Sequence, residues 1–71
     1  MQRHPVTSSN LHAVGYDARH QILEIEFDGG SVYHYFGVPE EVHDALMSAA
    51  SKGTYFHDRI REAYRHEKVN E

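Results

Sequence analysis

Along the segment 21–27, apolar and polar side chains alternate from residue 23 onward: Leu23, Ile25 and Phe27 fall on one face, Glu24 and Glu26 on the other. A period of two is the mark of a half-buried strand. Residues 11–16 (LHAVGY) predict an earlier strand, in which Gly15 marks a bulge or a close backbone approach. Residues 6–9, after Pro5, suit a short edge segment, and the polar stretch 17–20 (DARH) a turn. After Asp28-Gly29-Gly30, whose glycines supply the positive φ angles of a hairpin turn, residues 31–36 return as an antiparallel partner.

The pattern then changes period. Pro39 suits a first helical position, Glu40 and Glu41 favour the positive end of the helix dipole, and Val42, Ala45, Leu46 and Ala49 form an i, i+3, i+4, i+7 stripe. Gly53 is expected at the helix stop. Thr54 can cap a second helix over residues 55–66, with Phe56, Ile60, Ala63 and Tyr64 inward and Asp58, Arg61, Glu62 and Arg65 outward. Residues 68–71 are expected to fray. Strands first and helices after predict an α+β domain, a three-stranded antiparallel meander packed against two C-terminal helices. One domain over residues 1–71 is expected, with its ordered core at about 5–66.

The hairpin leaves two registers open. A two-residue loop puts Tyr33 and Tyr35 on the face of Glu24 and Glu26. A three-residue loop, Asp28-Gly29-Gly30 with a bulge at a glycine, puts them with Leu23, Ile25 and Phe27. The second glycine favours the longer loop. On the exposed face the two rings, about 7 Å apart along a strand, could stack neighbouring bases; on the other their bodies pack beneath the helices and their hydroxyls reach the rim.

Composition narrows the function classes. A chain of 71 residues buries only about 60% of its unfolded surface, which leaves little room for a deep active site. There is no cysteine, so disulfides, thiolate metal sites and a cysteine nucleophile are excluded and a reducing cytoplasm is compatible. The first ten residues hold no apolar signal region and no run is long enough to span a bilayer, so a soluble, cytoplasmic protein is expected. The net charge of −4 argues against wholesale phosphate binding, yet seven histidines would turn the charge positive on mild acidification. Any nucleic-acid affinity should strengthen towards about pH 6.

The segments "PVTSSNL", "VGYD", "LEIEF", "GGSVYHYFGVP" and "ASKGTYFHDRIREAY" together resemble the KTSC domain, a module named for its place at the C-terminus of some lysyl-tRNA synthetases and also found alone in bacteria. The likeness runs from about Val6 to Tyr64 and centres on Tyr33-His34-Tyr35. The resemblance implies the α+β fold above and, through attachment to a tRNA synthetase, RNA binding; the family itself is functionally uncharacterised. His57 departs from the pattern, which has asparagine after the aromatic pair.

The candidate chemistry is therefore binding. Residues 52–68 carry five cations, Lys52, Arg59, Arg61, Arg65 and Lys68, against the three carboxylates Asp58, Glu62 and Glu67. Arg61 and Arg65, four apart on a helix, could straddle phosphates; the plainer reading is a solvated helix face. Tyr33, His34, Tyr35, Lys52, His57, Arg59, Arg61 and Arg65 are the expected contacts to RNA or another single strand. A protein partner at a sheet edge or apolar patch is the alternative. No cofactor, metal site or catalytic group is expected: the histidines show no H-x-x-x-H spacing, and Ser8-Ser9 suits a turn better than a nucleophile. The third reading is a small nuclease using His34 and His57 as acid and base.

Overall fold

The computed structural model describes residues 1–8 and 10–70. Five strands form one antiparallel sheet in chain order: β1 (Arg3–Pro5), β2 (Leu11–Asp17), β3 (Ile22–Phe27), β4 (Val32–Phe36) and, after the helices α1 (Glu40–Ser48) and α2 (Lys52–Arg59), β5 (His66–Lys68). The expected α+β class is found, but with five strands instead of three. Neither added strand carries an apolar alternation of its own, since every residue of β1 and β5 is exposed. Both exist because β2 and β4 offer free backbone donors and acceptors that a neighbour can pair.

The β3–β4 hairpin uses all three residues Asp28, Gly29 and Gly30. The Phe27 N–H donates to the Ser31 carbonyl at 2.8 Å, the Gly30 N–H to the Phe27 carbonyl at 3.0 Å, and both glycines sit at φ 97°. That spacing sets Tyr35 opposite Leu23 and Tyr33 opposite Ile25. Both tyrosines thus share the inner face, where Leu23, Ile25, Val14, Leu11 and Tyr35 meet Leu46, Phe56 and Ile60 from the helices in one core. The bulge in β2 falls between Leu11 and Ala13. Gly15 is instead a close approach: a Cβ there would lie 2.9 Å from the Gln2 carbonyl oxygen. That contact draws the edge strand to Arg3–Pro5, ahead of the expected 6–9. Val6 keeps one bond of that segment, its N–H donating to His12 at 3.1 Å, and Ser9 lies outside the described residues.

The first helix begins one residue later than expected, with Pro39 as its N-cap, and ends at Ser48, well short of Gly53. Leu46 is its one fully buried side chain and Ala45 is exposed, so its apolar stripe is narrow. Tyr16 fixes α1 to the sheet by stacking on His43, with centroids 4.5 Å apart, and by donating to the Val38 carbonyl. Gly53 lies inside α2, whose cap is Ser51 rather than Thr54; Ser51 Oγ accepts from the Thr54 N–H at 3.3 Å.

The second helix stops at Arg59 instead of running to His66. Ile60 is fully buried as the C-cap, and the N–H groups of Ile60 and Arg61 both donate to the Phe56 carbonyl. Beyond Ile60 a helix would gain little burial, since Ala63 is exposed. The strand gains more: the Phe36 N–H donates to Arg65 and the Val69 N–H to Val32, each at 2.8 Å. The tail expected to fray is therefore docked through Asn70, whose Oδ1 accepts from the Val32 N–H and whose Nδ2 donates to the Gly30 carbonyl, both at 2.8 Å; Glu71 lies outside the described residues.

Candidate nucleic-acid interface

The open mouth of the core is a cleft of about 580 Å³ between β4, β5 and α2. Its floor is aromatic. Tyr35 meets Phe56 edge to face at 5.3 Å, Phe27 meets Phe56 at 5.4 Å and Tyr33 at 5.7 Å, and Tyr33 and Tyr35 lie 6.4 Å apart. From β5 the His66 ring stands 5.1 Å from Tyr35 and 6.0 Å from Tyr33. The polar wall comes from His57 on α2, from Arg61 and Glu62 in the turn after it, and from Asn10 ahead of β2.

Tyr35 is only 3% exposed, so the two tyrosines are not an open two-base platform. Tyr33 is half-buried. Burial, and secondarily the neighbouring Tyr33, push the Tyr35 hydroxyl up to about 12, with Arg61 pulling the other way. Arg61 can offset that rise only if its guanidinium charge acts on the Tyr35 oxygen. At neutral pH Tyr35 is thus a fixed hydrogen-bond donor. It has no protein partner among the described residues, yet no buried side-chain oxygen or nitrogen there is left unpaired, so its oxygen opens on the cleft.

Four of the expected contacts converge here: Tyr33, Tyr35, His57 and Arg61 all line the cleft. The rest do not. His34 projects from the opposite face of the sheet, where its Nε2 lies 3.1 Å from Glu24 Oε2, and Arg3 bridges Glu24 at 3.6 Å and Glu26 at 3.2 Å. Arg65 lays its guanidinium on Phe36, 4.5 Å from the ring centre. The i, i+4 pairing of Arg61 and Arg65 fails because residues 61–64 form a turn, which sends the two to different faces. Lys52 Nζ donates to the Ala49 carbonyl at 3.4 Å, and Arg59 ends α2 in solvent.

The sheet separates His34 from His57, whose Nδ1 lies 3.3 Å from Asp58 Oδ1, so the acid–base pair of the nuclease reading is not assembled. Among the described residues no group of three or more histidine, aspartate or glutamate side chains could hold a metal, and no helix is long and apolar enough to cross a membrane. Sequence reasoning missed His66, which it placed on a helix, and Asn10. Phe27 and Phe56 were visible as core positions, but nothing marked them as a cleft floor.

The KTSC domain model matches residues 7–64, a range that leaves out β1 and β5. The crystal structure of a KTSC domain protein from Yersinia pestis superposes with a TM-score of 0.92 at 43% identity, covering 97% of each chain. An uncharacterised protein of Stutzerimonas stutzeri (strain A1501) is 41% identical over 71 residues, 99% of this chain and 100% of that one. A lysine–tRNA ligase of Nostoc sp. (strain PCC 7120) is 42% identical over 62 residues, which are 87% of this chain but only 11% of the ligase.

Proposed function

This chain belongs to the KTSC domain family, and we propose that it is a small RNA-binding module, without catalytic activity, whose cleft takes one unpaired nucleotide. The observation that carries this reading is the meeting of Arg61, His57 and His66 with the tyrosine-lined floor in one open cleft of about 580 Å³. That volume lies within the usual range for small-ligand pockets, and it suits one nucleotide better than a length of strand. An aromatic floor offers a face for a base, and Arg61 beside it offers a phosphate contact, with the His57 and His66 rings as further hydrogen-bonding groups. Similarity to a segment of a lysine–tRNA ligase supports an RNA context. Docking of a protein at a sheet edge is less favoured. Both edge strands are three residues long, and β1 ends in Pro5, which has no N–H to donate.

Titration of the protein with a short labelled single-stranded RNA at low salt and pH 6 tests the reading. Weak binding is expected. Its logarithm should fall with the logarithm of salt at a slope of about −0.7 for each phosphate held. Arg61→Ala is expected to remove most of it, Arg65→Ala and His34→Ala little, and the probe should stay intact on long incubation. No binding at low salt and pH 6 overturns the RNA reading, and cleavage of the probe overturns its non-enzymatic part.

A further inference from the structure

We propose that the cleft is an end-binding site: it takes a terminal phosphate of an RNA strand, with phosphate oxygens bound by the Tyr35 hydroxyl and the Arg61 guanidinium. The inference rests on the RNA reading above and goes beyond it in naming which part of the strand is held.

Three observations lead there. The first is the Tyr35 hydroxyl. The residue is buried and its ring locked between Phe56 and His66, while its oxygen meets the cleft with no protein partner among the described residues. A donor held so rigidly and left unpaired is a polar anchor awaiting an acceptor. The second is its neighbour. Arg61 favours negative charge at the Tyr35 oxygen, and the Arg61 N–H is tied to the Phe56 carbonyl at 2.9 Å, which fixes where the turn begins. A hydroxyl and a guanidinium lining one cleft can together serve an anion with several acceptor oxygens, and the His57 and His66 rings line it too.

The third observation concerns what surrounds the cleft. Lys52, Arg59 and Arg65 all lie away from it, whereas Glu62 lines it and Asp58 flanks His57. Among the described residues there is no track of cations along which a strand could enter and leave. An internal phosphodiester has one negative charge and chain on both sides. A terminal monoester carries about −1.5 to −2 at pH 7 and three free acceptor oxygens, and it needs chain on one side only. With Arg61 the one arginine in the lining and no row of cations leading past it among the described residues, the arrangement suits the second, which needs chain on one side only. Four aromatic rings, Phe27, Tyr33, Tyr35 and Phe56, also suggest a cage for a ligand cation, but Arg61 in the same lining opposes one.

The test uses one short oligoribonucleotide in three forms, with a 5′-phosphate, with a 3′-phosphate, and with hydroxyls at both ends, titrated into the intact protein by calorimetry. One phosphorylated form is expected to bind about tenfold or more tightly than the hydroxyl-ended form, as a charge-assisted hydrogen bond implies, and its identity tells which end is held. Tyr35→Phe deletes an oxygen that pairs with no protein group among the described residues, so the fold should survive, as thermal melting will report. In that variant the ratio between phosphorylated and hydroxyl-ended forms should shrink towards one, while Arg65→Ala leaves it as in the parent. Equal binding of all three forms overturns the end-binding inference and leaves the RNA reading standing. A ratio unchanged in Tyr35→Phe also overturns the inference, and no binding of any form overturns both.

Discussion

Replacing Asn70 by alanine removes the two side-chain hydrogen bonds that tie the C-terminal tail to the hairpin carrying both cleft tyrosines. The two hydrogen bonds lost are unequal. The Gly30 carbonyl is exposed and rehydrates at little cost, whereas Val32, at 7% exposure, keeps its N–H without an acceptor. An unsatisfied buried donor costs about 1–3 kcal/mol, and here the exposed position of Asn70 lets some water in, which favours the lower half of that range. A loss of about 1–2 kcal/mol is large in a domain of this size, whose whole stability is roughly 4–10 kcal/mol. It should lower Tm by about 4–8 °C per kcal/mol. Asn70→Asp restores the acceptor for Val32 but turns a carboxylate towards the Gly30 carbonyl, so it should fall between the parent and Asn70→Ala. Thermal unfolding followed by circular dichroism gives the stability, and hydrogen exchange at the Val32 amide reports the local effect. An Asn70→Ala protein that melts within about 1 °C of the parent, with Val32 protection unchanged, refutes the docked tail.

Two further outcomes follow from the same geometry. Gly15→Ala places a Cβ 2.9 Å from a backbone oxygen and 3.1 Å from Arg3 Cγ, so it should cost about 1–3 kcal/mol and release β1, read as faster exchange of the β1 amides with β3 and β4 still protected. The Tyr35 hydroxyl is raised from 10.0 to about 12 in the fold. The unfolded chain therefore gives up this proton first, and stability should be lost between about pH 10 and about pH 12. Urea unfolding of Tyr35→Phe across that window should lack this part of the decline, and parallel curves for parent and variant would sink the assignment.

Legibility in the sequence followed where the causes lie. The alternation of Leu23, Ile25 and Phe27 is a property of β3 alone, and two adjacent glycines at φ 97° are a local demand that the residue types announce. Residue types alone thus narrow the placement of Tyr33 and Tyr35 to two registers. By contrast, His66-Glu67-Lys68 contains no apolar residue, and it becomes a strand only because β4 has an open edge. Its reason lies some thirty positions away, along β4. The same error displaced the candidate site. Helical spacing paired Arg61 with Arg65, whereas the buried Ile60 ends α2 and the turn parts them. His66 could not be seen as a cleft residue until its segment was known to be extended.

The sheet keeps strict chain order, so β1 and β5 occupy its two opposite margins. Four strand spacings of about 4.8 Å separate them, on the order of 19 Å. The cleft opens beside β5. Any chain joined ahead of β1 therefore grips the module by the margin remote from its mouth. Such a tether would leave the mouth facing outward.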